Sequence, residues 1–338
     1  MNLKLIVMSS VAAFASAFSA HAADAIVAAE PEPMEYVRVC DSFGVGYFYI
    51  PGTETCLRVG GYIRTEGRFG RDRAGTSDWS FWTRAQVVFS AKSDTEYGAL
   101  TSVINLRTNT ESSSDRDTFV NEAYIDLAGF RVGHQYSWWD DDPSSETDTV
   151  SSNSTVHNSV RYQYETEHWS AGISADELEE TYRTKPGEDA NNLGVAAQVS
   201  GKYGGLSGFL LAGYDTDTEE VAVRAIGYAE LGPGTLGIYG VWASGVNYYY
   251  EESEWTVGAQ YEVKLNKKWA LTPGAQYFSN TEINSRGEGF TGGDAWVAGL
   301  TVDYKIVENL TTKLSVQYED RDDEDEEVRG FVRLQRNF

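Results

Sequence analysis

Alternation of apolar and polar residues with a period of two runs through most of this chain, and no other feature limits its fold as much. Leu57, Val59, Gly61, Ile63 and Thr65 share one face of an extended segment, while Arg58, Tyr62, Arg64, Glu66 and Arg68 share the other. Trp79, Phe81, Ala85, Val87 and Phe89 alternate with Ser80, Arg84 and Gln86 in the same way. So do Trp255, Val257, Ala259, Tyr261 and Val263 with Thr256, Gln260, Glu262 and Lys264. Successive side chains of a strand point to opposite faces, so each segment has one apolar and one polar side. No helical period of any length stands out. The one short candidate, Asp176–Glu180, sits among loop residues.

Sixteen segments carry the pattern: 57–68, 79–90, 97–108, 119–127, 130–136, 158–166, 168–175, 191–200, 205–214, 221–230, 235–243, 254–263, 269–280, 294–304, 310–319 and 330–338. The linkers alternate in length. Short ones are Ala128-Gly129, Glu167, 201–204, 231–234 and 305–309, and 215–220 is intermediate. Long ones are 70–78, 109–118, 137–157, 176–190, 244–253, 281–293 and 320–329. Short turns at one end and long loops at the other predict an all-β fold, a sixteen-stranded antiparallel transmembrane β-barrel. In lipid every backbone N–H and C=O must be paired within the protein, and only a closed sheet does this with strands. One face then meets lipid and the other a water-filled lumen. Trp79, Tyr97, Phe130, Trp169, Trp255, Trp269 and Tyr318 are candidates for interfacial girdles. Arginines within strands are costly in lipid and are predicted to point inward, Arg224 among them. Arg336 shares the outward face of the last segment with Val332, Leu334 and Phe338, near the rim.

The first 22 residues read as a signal peptide: Lys4, an apolar stretch from Leu5 to Phe18, then Ala20-His21-Ala22 as a small-x-small cleavage site. No later stretch has eighteen consecutive apolar residues, which argues against membrane helices. The expected organisation is signal peptide 1–22, lead-in 23–56 and barrel 57–338, with a long loop at 137–157 inside it. Formal charge is −24, from 51 acids against 27 Lys and Arg, so a nucleic-acid partner is excluded by repulsion. The chain has only two cysteines, Cys40 and Cys56, both ahead of the first strand. In an oxidising compartment a disulfide between them is expected, closing a loop with Phe43, Tyr47, Phe48 and Tyr49; two unpaired thiols in a structured lead-in are the alternative.

Longer motifs resemble a known family. The stretches 22–33 (AADAIVAAEPEP), Tyr36–Asp41 and Tyr47–Leu57, and the ending Gly330–Phe338, are similar to those of alphaproteobacterial porins of rhizobial and brucella type. The resemblance implies a general-diffusion porin of the outer membrane and a homotrimer of sixteen-stranded barrels, each with its own channel. Its third external loop would fold inward and narrow the pore.

Residues 137–157 form the longest loop candidate and carry Asp140, Asp141, Asp142, Glu146 and Asp148, the expected acidic side of a constriction. Arg58, Arg64, Arg68, Arg84, Arg107, Arg131 and Arg161 are the expected basic side. A transverse field between them would sort ions and orient dipolar solutes. The competing reading is that the acids solvate a surface loop. Other acidic runs, Asp320–Glu327, Asp176–Glu180 and Glu251–Glu254, are expected in external loops among outer-membrane lipid and lipopolysaccharide. They would associate loosely with Ca²⁺ or Mg²⁺, with no cofactor and no specific metal site, since no EF-hand spacing occurs. Solutes would be small, hydrophilic molecules and ions, with a weak preference for cations. His21, His134, His157 and His168 have no metal-ligand spacing, and no nucleophile elbow or phosphate loop appears, so an enzyme is not expected. The alternative function is a secreted or surface β-rich protein for adhesion or structure.

Overall fold

A computed structural model describes residues 38–70, 78–111, 117–151, 155–178, 184, 188–322 and 324–338. The signal-peptide stretch 1–22 and the first part of the lead-in lie outside the described residues. From Val39 onward the chain forms one compact unit. Its strands are β1 (Cys56–Phe69), β2 (Trp79–Thr95), β3 (Gly98–Thr110), β4 (Thr118–Leu127), β5 (Phe130–Tyr136), β6 (Val156–Glu165), β7 (Trp169–Glu177) and β8 (Leu193–Tyr203). They continue as β9 (Leu206–Asp215), β10 (Glu220–Leu231), β11 (Gly234–Ala243), β12 (Trp255–Lys264), β13 (Trp269–Ile283), β14 (Phe290–Val307), β15 (Leu310–Arg321) and β16 (Glu327–Asn337). Each pairs antiparallel with the next. The last closes on the first, from Gly330 opposite Phe69 to Asn337 opposite Tyr62. Beyond the last strand, Phe338 and Gly61 exchange two backbone hydrogen bonds, of 3.0 and 3.1 Å, and complete the seam. The sheet is thus a closed sixteen-stranded barrel, with no edge left for lipid to meet.

Connections alternate in length, except that 216–219 at the long-loop end is as short as a turn. Those at one end run from two to four residues, as at Ala128-Gly129. Both of those residues have positive φ, 53° and 87°, which is the backbone of a type I′ hairpin turn. The other end carries the long loops, including 137–155 and 244–254. Several strands run further than the alternation alone indicates, β2 to Thr95 and β14 back to Phe290. Asp176 and Glu177 belong to β7 rather than to a loop, and Asp320 and Arg321 belong to β15. The only helical pieces among the described residues are two 3₁₀ turns, Asp41–Phe43 and Trp138–Asp140.

Side chains sort as the alternation requires. Val59, Ile63, Ile125, Val132, Ile173, Val199, Ile238, Val257, Leu300, Val316 and Val332 are exposed on the outer face. Rings gather at its two ends. At the short-turn end Phe130 packs on Tyr162, Tyr164 on Trp169, and Trp269 on Tyr304. At the long-loop end Trp255 packs on Tyr277 and Trp296 on Tyr318. An apolar belt between two aromatic rings is a lipid-facing surface.

The lead-in is stapled. Cys40 and Cys56 form a disulfide, with Cα atoms 6.0 Å apart, and both are buried with Tyr47. The Tyr47 hydroxyl lies 2.9 Å from Ser90 Oγ, and its ring lies under Arg58 and Lys92. The staple therefore holds an aromatic residue against the inner wall near the short-turn mouth.

Leu300 lies midway along β14 on the outer face, so Leu300→Arg should destabilise the barrel by about 2–4 kcal/mol in a bilayer. Urea unfolding in lipid vesicles measures it; an unchanged midpoint would mean that this face does not meet lipid.

Candidate functional site

The inner wall is polar around most of the barrel, and residues 137–151 lie against it. Ser145 N–H donates to Gln260 Oε1 at 2.7 Å, and Thr149 N–H to Gln276 Oε1 at 2.7 Å. Gln276 Nε2 returns a bond to the Thr149 carbonyl at 2.9 Å, and Gln317 Nε2 donates to the Glu146 carbonyl. Gln260, Gln276 and Gln317 alternate with outward-facing Val257, Tyr277 and Val316, so they project into the lumen. The loop has left the top of β5 and crossed to the far wall, β12 to β15.

Glycines make room for it. A Cβ on Gly172 would meet the Trp138 ring at 2.7 Å, and one on Gly274 would meet Thr147 Oγ1 at 2.4 Å. A Cβ on Gly299 would meet Thr147 Cγ2 at 2.9 Å. The loop backbone is clamped by a residue that the alternation places inward but the expected basic side omits. Arg224 on β10 is fully buried and donates to the carbonyls of Trp138 at 2.6 Å, Trp139 at 2.8 Å and Val150 at 3.2 Å. One guanidinium thus ties the outgoing and returning limbs together. Backbone carbonyls that would otherwise lack partners inside the barrel are satisfied by a charged donor, the stronger class of hydrogen bond.

The expected acids separate into two groups. Glu146 is drawn to the wall, 2.7 Å from Lys313 Nζ and 3.5 Å from Arg333. Asp140, Asp141 and Asp142 reach water, and Asp148 is half-buried. Burial within the wall raises all four carboxyl pKa values. Asp142 is pushed to about 6, by burial first and then by Asp140 and Glu146. Asp148 is pushed to about 8, by burial and then by Asp142. Arg107 and Arg224 oppose the shift at Asp140. A cavity of about 500 Å³ lies beneath this segment, between Asp142, Glu146, Tyr228, Glu262 and Lys313.

The expected arginines also divide. Arg68 pairs with Glu66 at 2.6 Å, and Arg131 with Asp126 at 2.9 Å. Glu66 is itself a buried acid in the β1 wall that the sequence reading did not select, and it also accepts from Trp82 and Arg333. Arg161 is buried over the Trp138 ring, and Arg58 lies at the opposite mouth over Tyr47. Arg64, Arg84 and Arg107, which line adjacent strands, also make no ion pair among the described residues. Arg64 Nε donates to Gln335 at 2.7 Å, Arg84 Nε to Asn109 at 2.8 Å, and Arg107 to Gln86 and the Tyr136 hydroxyl. Arg64 stands directly opposite Arg84 across β1 and β2, and Arg107 is on the next strand. Like charges in a cross-strand pair repel, and this stretch of wall concentrates positive charge, with Glu66 two residues along β1 as its nearby carboxylate. Among the described residues no ion pair joins Asp140, Asp141, Asp142 or Asp148 to any of the expected arginines.

A second inward loop was not expected. Residues 244–254 bury Val246, Asn247, Tyr248, Tyr249 and Tyr250 inside the barrel. They cover an apolar patch of inner wall formed by Leu211, Ala222, Ile226, Tyr239 and Val241, with Trp138, Trp139 and Val150 from the first loop. A signal for it exists in the sequence: the strands around Leu211, Ile226 and Val241 are apolar on both faces, which a wall between lipid and water would not be. The acids beside it, Glu251, Glu252 and Glu254, are half-buried rather than external. Asp176, expected outside, is buried and accepts from the Tyr249 hydroxyl at 2.8 Å.

Comparison with known proteins follows the same line. A family model described as a porin subfamily matches residues 24–335. Outer membrane protein IIIA of Rhizobium leguminosarum bv. viciae is 48% identical, over 98% of this chain and 93% of that protein. Porin Omp2a of Brucella suis biovar 1 is 32% identical over the full length of both. Among solved structures, the outer membrane channel DcaP of Acinetobacter baumannii superposes with a TM-score of 0.67 at 13% identity, covering 86% of this chain and 99% of that one. The trimer form of OmpT of Vibrio cholerae gives 0.62 at 14% identity, over 85% and 100%. The closed barrel, its lipid-facing belt and this full-length kinship together place the chain in the porin family, as an outer-membrane channel of the alphaproteobacterial kind.

Proposed function

We propose that the chain is a general-diffusion pore for small hydrophilic solutes and ions, narrowed by residues 137–151 and crossed by an electric field. The negative side is Asp140, Asp141, Asp142 and Asp148. The positive side is the Arg64, Arg84 and Arg107 wall. The observation that carries this reading is that, among the described residues, these three guanidiniums make no ion pair and bond to neutral side chains, whereas Arg68, Arg131, Arg333 and Lys313 are paired with acids. Charges left uncompensated on opposite sides of a lumen act on whatever passes between them. Separate barrels would assemble as a homotrimer in lipid and lipopolysaccharide, as the trimer form of the Vibrio cholerae OmpT structure supports. Acids in the long loops at the outer end would attract Ca²⁺ or Mg²⁺ loosely. Cations would be weakly preferred.

Planar-bilayer recording of the purified protein tests the pore. Conductance steps in multiples of three are expected, and the absence of conductance would defeat the proposal. Replacing Arg64, Arg84 and Arg107 together by Gln should raise the cation-to-anion permeability ratio about two- to fivefold, because the opposing charge is removed while the neutral partners stay. Reversal potentials in asymmetric salt read this out, and an unchanged ratio would remove these residues from the ion path.

The field should also depend on pH. A raised carboxyl pKa means that the charge is absent below it and gained as pH rises through it. Cation preference is therefore expected to grow between pH 5 and 9, in steps near about 6 for Asp142 and about 8 for Asp148. In an Asp142→Asn, Asp148→Asn variant the same titration should be flat. A variant that keeps the wild-type pH profile would assign the dependence to other groups.

A further inference from the structure

The loop 244–254 has a built seat. Gly194 on β8 and Gly213 on β9 face inward on adjacent strands, and the ring of Tyr249 fills the space that their side chains would occupy. A Cβ on Gly213 would lie 2.5 Å from the ring, and one on Gly194 would lie 2.2 Å from the hydroxyl. Asp176 accepts that hydroxyl at 2.8 Å. The loop is shaped to deliver the ring. Asn247 Oδ1 accepts the N–H groups of Tyr249 and Tyr250 at 3.0 and 3.1 Å, and Asp215 Oδ2 accepts that of Tyr248 at 3.0 Å. Val246 N–H is bound by the Glu288 carbonyl at 3.1 Å, so the neighbouring loop 284–289 supports it as well.

What the seated ring touches gives the loop its role. Tyr249 lies 5.6 Å from the Trp139 ring, centre to centre, and Trp139 is the residue at which 137–151 turns into the lumen. Arg224 meets the same junction, holding the Trp138 and Trp139 carbonyls with its guanidinium over the Trp139 ring. Trp139 thus contacts both a cation on β10 and an aromatic ring seated against β8 and β9. Tyr248 extends the contact to His157, at the base of β6 where the loop returns, with ring centres 5.6 Å apart.

We propose that Tyr249 is a positioning residue for the pore constriction: seated in the Gly194–Gly213 socket, it fixes Trp139 and through it the loop that bears Asp140, Asp141, Asp142 and Asp148. This rests on the reading of that loop as the constriction. It assigns to 244–254 a function that its length and composition do not suggest, as a second inward element that never meets the solute. The fluctuation of the constriction is then set by a contact outside the ion path. A purely structural role would appear as a loss of barrel stability with normal channels. A positioning role appears as noisy channels in a stable barrel.

The test is single-channel recording of Tyr249→Ala, with heat-modifiable gel migration read on the same preparation. The expected result is a severalfold rise in open-channel current noise, with added subconductance levels, in protein whose band still migrates as folded. Tyr249→Phe keeps the ring in its socket and should restore quiet channels. If Tyr249→Ala does not assemble, Tyr249→Leu, which fills the socket but leaves Trp139 without its aromatic partner, is read in the same way. A folded Ala or Leu variant with wild-type noise overturns the proposal, as does a Phe variant as noisy as the Ala one, since the ring would then not be the positioning group. The Asp142→Asn, Asp148→Asn channel is recorded in parallel. If its selectivity moves while Tyr249→Ala stays quiet, only the positioning role fails. If its selectivity does not move, the constriction reading itself fails.

Discussion

Everything in this structure depends on the pairing of backbone amides where no water is available to pair them. The hydrocarbon core of a bilayer offers no hydrogen bonds, so a sheet that crosses it must have no edge. The seam between β16 and β1 meets this requirement, with Gly330–Asn337 laid along Tyr62–Phe69 and Phe338 reaching Gly61. Once the sheet is closed, the pleat divides its side chains into an outer and an inner set with no intermediate choice. Low overall hydrophobicity, 41%, is then no argument against a membrane location, because only half of each strand meets lipid.

Closure creates a second demand on the inside. A barrel of sixteen strands is too wide for its own inward side chains to fill. This lumen is filled unequally. The β8–β11 sector is apolar within and is packed by two loops, with Leu211, Ile226 and Val241 under Trp139 and Tyr249. The β1–β3 sector carries Arg64, Arg84 and Arg107, and among the described residues no buried apolar cluster covers them. On the proposed reading, solute is left the charged side because the other side is occupied. The loops stay in place by ordinary means: apolar burial, carbonyls satisfied by Arg224 and glutamines, and glycines where the fit is tightest.

The barrel was legible in the sequence because its rule is local. Alternation over ten residues identifies a strand whatever lies beside it, and Val257 needs no knowledge of Tyr277 to point outward. Strand ends were less legible, because β2 and β14 continue into the rims, where neither lipid nor lumen imposes a pattern. The disulfide was readable from two cysteines and a compartment. The interior was not, because its contacts join residues far apart in the chain. Arg224 meets Trp139, Tyr249 meets Trp139 and Asp176, and Glu66 joins Arg68 to Arg333. The acid-rich stretch 251–254 suggested an external loop and hid the three tyrosines before it. The doubly apolar strands around Leu211 and Ile226 were the local trace of that docking.

Pairing also changes what the charged residues mean. Counted along the chain, five acids face seven arginines, and nothing in the count tells which of them belong to a field and which only solvate a loop. In the folded barrel three of these charges are offset nearby: Arg68 by Glu66, Arg131 by Asp126, and Glu146 by Lys313 and Arg333. An ion pair a few ångströms across is a dipole, and its field falls off quickly beyond a Debye length in the salt of a wet lumen. The charges that act at a distance are those the fold leaves without an opposite neighbour. On one wall these are three guanidiniums held by amides, and on the loop a set of carboxyls that enclosure brings near their titration range. In the pore as proposed, the strength of the field would follow the protonation of Asp142 and Asp148 rather than the net charge of −24.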